Sequence, residues 1–396
     1  VYKRQGWMQG LTINVAAGRH ERDHTPVSVA LPEGSVSRDD VVELVDNTGS
    51  ALPAQIDLRD RIPVVHAIIP SLDAGATTSC ALRARAAPRA ENDRGVAVRE
   101  SPQGLTVELD GSILTTYHVR TTNGSRLARP FCFPVVGPGG HRLTRAFPME
   151  PDAPGETRDH PHHRSLWVAY GEVNDVDNWS EAPNHGFTVH ERFEHVVSGP
   201  VFGGFTAVSR WTDHAGAPLL RERRTMTFYQ QPSVRRCFDV TVDWTCGDQP
   251  VTFGDTKEGG IFSTRVASSM DGKAGGTIRN SYGGLGESET WGRRAEWCDY
   301  SGVVDGAVVG IAVFDHPRNF RSPCYWHVRD YGLMTTNVFG GEAFTGEPAL
   351  NGKYTLSPGS TLTFRYRAIL HSGDAVQAKV ADLYHDFVNP PRVSLA

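Results

Sequence analysis

Apolar and polar positions alternate with a period of two over most of the chain. From Leu11 to about Ala87 the apolar segments are short, as in Leu11-Thr-Ile-Asn-Val, Pro26-Val-Ser-Val-Ala-Leu and Val41-Val-Glu-Leu-Val. Breakers such as Asn47-Thr-Gly and Asp73-Ala-Gly recur every 8 to 12 residues or so, the rhythm of short strands joined by turns. A small N-terminal β domain over residues 8–90 is expected. The polar stretch Arg83 to Asp93 has few apolar side chains to anchor it and reads as a linker.

Beyond Gly95 the strands lengthen. In Phe238-Asp-Val-Thr-Val-Asp-Trp, residues Phe238, Val240, Val242 and Trp244 fall on one face and Asp239, Thr241 and Asp243 on the other, which implies a sheet with one wet face. Two stretches carry helical spacing, a short one at Asp39 to Leu44 and a longer one at Asp374 to Phe387. The longer places Val376, Val380, Leu383, Tyr384 and Phe387 behind an Asp N-cap. The expected fold is therefore all-β: a small N-terminal sandwich, then a large antiparallel β-sandwich over 95–396 with a C-terminal helix. No internal repeat or low-complexity segment interrupts it.

Composition narrows the function classes. The 41 glycines and 25 prolines are scattered, as turns require. Forty Lys and Arg against 45 Asp and Glu, gathered into no stripe or tail, argue against a nucleic-acid partner. The longest apolar run, Ala307 to Phe314, is far short of the roughly 20 residues of a membrane helix. No secretory signal pattern is visible, so a cytoplasmic location is the expectation. Residues 1–7, which begin Val-Tyr-Lys-Arg-Gln, carry no weight in the fold. The six cysteines form no CxxC pair or zinc-ribbon spacing and read as buried thiols.

Histidine is the most unevenly placed residue, with six of 16 between His160 and His195. In an extended Asp159-His160-Pro161-His162-His163-Arg164, His160 and His162 project to one side and His163 away. That pair could hold a divalent metal with Asp159 or Glu172 as third ligand, or hydrogen-bond to hydroxyls, or belong to a polar loop. Downstream, Trp167 to Trp179 mixes tryptophans and a tyrosine with Glu172, Asn174, Asp175 and Asp177. Flat rings beside carboxylates and amides suit a sugar, and they also suit an ordinary core.

Lys257 and Glu258 stand before the pair Gly259-Gly260, where a backbone can approach a ligand closely. A carboxylate beside a lysine stays ionised and can act as a base. Arg265 follows an apolar stretch and must be paired if buried. Three further segments are rich in chemistry: Trp291 to Gly302, which includes Trp297 and Asp299; Asp315-His316-Pro-Arg-Asn319; and Trp326 to Gly332. In the last, His327 and Arg329 share one face and Trp326 and Val328 the other, with Tyr331 beyond.

Taken in order, these segments resemble a bacterial family labelled methane oxygenase PmoA. The resemblance rests on Asp159-His-Pro-His-His-Arg-Ser-Leu-Trp167, Gly171-Glu-Val-Asn174, Lys257-Glu-Gly259, Trp297-Cys-Asp-Tyr-Ser-Gly302, Asp315-His-Pro-Arg-Asn319 and Trp326-His-Val-Arg-Asp-Tyr-Gly332, over roughly Val96 to Leu370. It implies a sandwich similar to the galactose-mutarotase type, whose groove binds sugars and uses histidine with a carboxylate. It also points to sugar breakdown, including that of 3-keto glycosides.

The first expectation is thus a carbohydrate-active enzyme with no resident cofactor. Glu258 is the candidate base, and His327 or His162 the proton donor. Arg164, Lys257 and Arg329 would hold oxygens, and His160, Trp167, Glu172, Trp297, Asp299, His316, Asn319 and Tyr331 would contact the sugar. The alternatives are a metal-dependent oxygenase using His160 and His162, and a non-catalytic sugar-binding protein. Ordinary glycoside hydrolysis would require two carboxylates about 5 to 10 Å apart.

Overall fold

In a computed structural model, which describes residues 10–37, 40–58, 62–84, 95–121 and 126–396, the chain is an all-β protein of antiparallel sheets. A seven-stranded sheet is formed by Thr12–Ala16, Arg22–Ala30, Val42–Asp46, Ala51–Asp57, Val64–Leu72 and Thr77–Ala84, with Arg392–Leu395 on the edge. That last strand pairs with Thr12–Ala16, Ile13 opposite Leu395, so the far end of the chain completes the sheet that its beginning opens. Ile13, Val15, Leu44, Val65 and Leu82 form its core.

Two eight-stranded sheets make the large sandwich. The first runs Tyr325–Val328, Leu333–Asn337, Gly259–Arg265, Leu166–Tyr170, Phe131–Val135 and then three strands between Val96 and His118. The second holds the long strands Phe187–Val197, Phe202–Thr212, Pro218–Tyr229, Arg235–Cys246 and Thr361–Ser372, continued by Ala307–Asp315, Trp297–Val304 and Thr277–Asn280. Between them lies one apolar core. Leu105, Val107, Leu166, Val168 and Trp326 from the first sheet meet Phe205, Met226, Phe228, Phe238 and Val240 from the second. Residues Phe238 to Trp244 divide as the period predicts, for Val240 and Val242 lie in this core while Asp239 binds Arg367 through a bidentate pair on the outer face.

Both helical expectations need correction. Val42–Asp46 is a strand, and Asp39 lies outside the described residues. The C-terminal helix spans Val380–Val388 only. Asp374 does cap, but it caps a turn, its Oδ1 accepting from the N–H groups of Val376 and Gln377. The left-handed backbone of Lys379, φ 54°, then separates that turn from the helix. The helix packs Val380 and Leu383 on the outer face of the second sheet, with Trp297, Phe314 and Ile369. Most of the expected linker, from residue 85 on, also lies outside the described residues, whereas Arg83 belongs to the strand Thr77–Ala84.

Candidate functional site

Directly opposed residues of antiparallel strands share a face. Reading across the first large sheet, His327 opposes Thr335, Thr335 opposes Ser263, Ser263 opposes Trp167 and Trp167 opposes Phe131. This row looks away from the sandwich core, since the alternate residues Trp326, Val328, Leu166 and Val168 fill that core. The outer face of this sheet is where most of the candidate residues gather.

The backbone of residues 256–258 is pinned there from several directions. His327 Nδ1 lies 2.9 Å from the Lys257 carbonyl, Asn337 Nδ2 donates to the Thr256 carbonyl at 2.8 Å, and Gly171 N–H donates to the Glu258 carbonyl at 2.7 Å. A Cβ on Gly171 would stand 2.3 Å from that same carbonyl, so only glycine permits the approach. The side chains of Lys257 and Glu258 remain 44% exposed, with Lys257 Nζ donating to Glu258 Oε1 at 2.7 Å. Burial pushes the Glu258 carboxyl up, but Lys257, His327 and His162 outweigh it and hold the group below its ordinary range. Glu258 is therefore ionised and within electrostatic reach of both imidazoles.

His327 is buried and its tautomer is fixed by its surroundings. Because Nδ1 faces a carbonyl it carries the proton, which leaves Nε2 as a lone pair, and that buried atom has no protein partner. Burial lowers its pKa to about 4 against the opposing pull of Glu258. His327 is thus an acceptor at neutral pH, the reverse of the expected proton donor. Trp291, which opens one of the chemistry-rich segments but was not expected in the site, packs edge-on at 6.4 Å from the His327 ring, and its Nε1–H is likewise buried without a partner.

The histidine run is a turn and not an extended segment, with His160 at φ 41°. The expected arrangement therefore fails. His163 does not point away but stacks on His160 at 4.8 Å, while His162 meets both edge-on at 5.8 and 4.4 Å. Tyr331 stacks on the His160 ring at 4.9 Å. Burial, then Arg129 and His160, lower His162 to about 4, so it too is neutral.

Arginines hold this layer from beneath. Buried Arg265 and Arg145 share Asp159 Oδ1 at 2.7 and 2.5 Å, which answers the need of Arg265 for a partner and takes Asp159 out of any metal set. Arg129 donates to the carbonyls of Asn178, Trp179 and Ser180. Neither Arg145 nor Arg129 belongs to a motif, and local sequence offers no signal for them. Arg164 is held by both oxygens of Glu181 at 2.8 and 2.6 Å, and Arg329 by Glu287 at 2.8 Å, so neither is a free oxygen clamp. Among the described residues no three His, Cys, Asp or Glu side chains are grouped to hold a metal.

Several expected contacts lie elsewhere. Trp297 is packed under the C-terminal helix on the outer face of the other sheet. Asp299 is buried and bound to His371 Nε2 at 2.7 Å and to the Ser301 hydroxyl. Asn319 bridges Asp315 and the Arg365 backbone, and His316 packs edge-on against Phe387. Glu172 is exposed beside Gly254, where a Cβ would strike its Oε2. Trp167 is fully buried, stacked on His163 at 5.3 Å, and lines the floor of the cluster instead of its rim. The glycine pair admits protein neighbours, since a Cβ on Gly260 would lie 1.4 Å from Thr335 Oγ1 and one on Gly259 2.4 Å from the Tyr170 ring.

Fold and cluster together define an all-β sandwich carrying an imidazole- and indole-rich site on one outer face. Residues 104–385 match the model of a family of unknown function (DUF6807), and the chain belongs to that family. Its description names no activity, so the methane-oxygenase label gains no support from it. No curated protein matches the chain. Among solved structures, 98% of the chain aligns with a glycosyl hydrolase family 38 protein from Enterococcus faecalis at 10% identity and a TM-score of 0.45. It aligns as fully with an alpha-mannosidase from Enterococcus faecalis V583, at 11% identity and a TM-score of 0.43. The chain spans 47% and 46% of those two proteins. At such scores the likeness bears on neither substrate nor mechanism. Among the described residues no helix is long and apolar enough to cross a membrane.

Proposed function

We propose that the outer-face cluster binds a carbohydrate and carries out acid/base chemistry on it, with Glu258 as base. The observation that carries this reading is the pairing of an ionised, half-exposed carboxylate with the buried, unpartnered lone pair of His327 Nε2. A hydroxyl donating to that lone pair, while accepting from Trp291 Nε1–H, would satisfy two buried groups that the protein leaves open.

The surrounding charges favour elimination over ordinary hydrolysis. Hydrolysis needs a second carboxyl group, and the carboxylates tied to the histidine turn and to Arg329 are engaged by arginines: Asp159 by Arg145 and Arg265, Glu181 by Arg164, and Glu287 by Arg329. A 3-keto glycoside needs only one. Glu258 takes the proton from the carbon beside the carbonyl while the Lys257 ammonium stabilises the developing enolate oxygen. The electron pair then forms the new C=C bond as the glycosidic C–O bond breaks, and the departing oxygen recovers the proton from Glu258. The products are an unsaturated keto sugar and a free alcohol.

The test is turnover of a panel of glycosides and their 3-keto forms, followed by mass spectrometry. Glu258→Gln should lower kcat on any accepted substrate by about 10²- to 10⁴-fold, the usual contribution of a positioned base. Undiminished turnover by that variant would refute the assignment.

A further inference from the structure

The N–H groups of the buried indoles are not all met by the protein. In the sandwich core, Trp211 and Trp244 donate to Glu222 Oε2 at 3.0 and 3.1 Å, and Trp326 donates to the Ala295 carbonyl at 2.9 Å. Under the histidine turn the same courtesy is withheld. Trp167 and Trp179 are 0% and 2% exposed, and the Nε1–H of each is buried with no protein acceptor.

A third donor joins them. Arg265 Nη1 lies 3.2 Å from His163 Nδ1 and can only donate, so His163 carries its proton on Nε2, which is also buried and unpartnered. The three rings pack on one another at 5.3 to 5.5 Å. Three N–H groups from three mutually packed rings thus lack an acceptor. The local field is positive as well: after burial, the Arg265 and Arg145 guanidinium groups are among the causes that depress the His163 imidazole. A water molecule brings two protons that need acceptors of their own, whereas an anion brings none.

We propose that His163, Trp167 and Trp179 hold a small monatomic anion of the halide type, as a structural ion beneath the histidine turn. All three rings are almost completely buried, and a monatomic ion is the smallest anion that could accept from their N–H groups. The site does not rest on the carbohydrate reading: Trp167, expected from the sequence to touch the sugar, is fully buried in the floor of the cluster, and His163 and Trp179 are assigned no role in that chemistry.

Thermal unfolding of the full chain at constant ionic strength tests this, with sodium chloride or bromide replacing sodium gluconate. A ligand that binds only the folded state raises Tm in a saturable manner. Chloride and bromide should each raise Tm by a few degrees to a plateau, and Trp179→Phe, which keeps a ring and removes the N–H, should abolish the difference from gluconate. Crystals grown in bromide should show an anomalous peak within hydrogen-bond reach of at least two of the three nitrogens, a readout that does not depend on the variant folding. Equal Tm in chloride and gluconate, or a water or no density at that place in the bromide crystal, would overturn the proposal.

Discussion

At the scale of single residues, the chemistry turns on where one proton sits. The Lys257 carbonyl places the proton of His327 on Nδ1, and burial keeps Nε2 bare down to a pKa of about 4. An acceptor role requires that bare form. The rate kcat/KM should therefore be flat from neutral pH downward and fall only as pH drops through about 4, where Nε2 takes up a proton. A proton-donor role would give the opposite sign, with activity falling as pH rises through the same value. A pH–rate profile from pH 3 to 8 separates the two. The position of His327 was legible in the sequence, because Trp326, His327, Val328 and Arg329 alternate in a strand of period two. Its protonation was not, because that depends on a carbonyl 70 residues away.

At the scale of elements, the site depends on how closely three strands approach. Gly260 has Thr335 Oγ1 where a Cβ would be, and Ser263 Oγ only slightly farther away. Gly260→Ala should destabilise the fold by about 1–3 kcal/mol through overpacking and misplace the neighbouring Glu258. Removing the obstructing hydroxyl and methyl in Gly260→Ala/Thr335→Ala should recover part of that loss, and urea unfolding of the two variants measures the coupling.

The same scale explains which candidates were misplaced. Trp297 and Asp299 alternate as cleanly as Trp167 does, but local pattern does not say which sheet a strand will join. They form a local hairpin with Ala307–Asp315, and the long-range pairing of that strand with Thr361–Ser372 puts them in the second sheet, on the opposite side of the sandwich from Glu258. Trp291 opens a segment rich in chemistry, but its part in the site was not legible for the complementary reason: it lies outside any strand and acquires meaning only from its contact with His327.

At the scale of the whole molecule, the small sheet and the sandwich are joined by buried polar contacts that no local pattern announces. Arg22 Nη1 donates to Asp386 Oδ1 at 2.9 Å and its other nitrogens reach the carbonyls of Ala17 and Asn389, which ties the C-terminal helix to the first sheet. Arg22→Met leaves Asp386 buried without its partner and should cost about 3–5 kcal/mol in chemical denaturation.

Stability should also depend on pH in two opposing ways. His162, His190 and His327 are each lowered to about 4, first by burial. The unfolded chain therefore binds more protons than the folded one between an ordinary value near 6.5 and 4, and stability falls on acidification through that window. His371 is raised, because Asp299 and its hydrogen bonds outweigh burial. Its contribution is complete below about pH 6.5 and is lost as pH rises through the higher folded value. Denaturation of the wild type and His371→Gln from pH 5 to 9 should show the gap between them narrowing as pH rises. All-β architecture and the wet-faced strands were readable from periodicity, whereas these joints are set by tertiary burial.

The central claim is that His162 and His327, 165 positions apart, serve one ligand on one face. Histidine-selective ¹⁵N spectra, recorded with and without the glycoside chosen by the turnover panel, test it most directly. The ring nitrogens of His162 and His327 should shift together on binding, with His327 Nε2 changing most, while His316 and His371 on the opposite sheet stay fixed. Shifts at His316 or His371 with His162 and His327 unmoved would contradict the account.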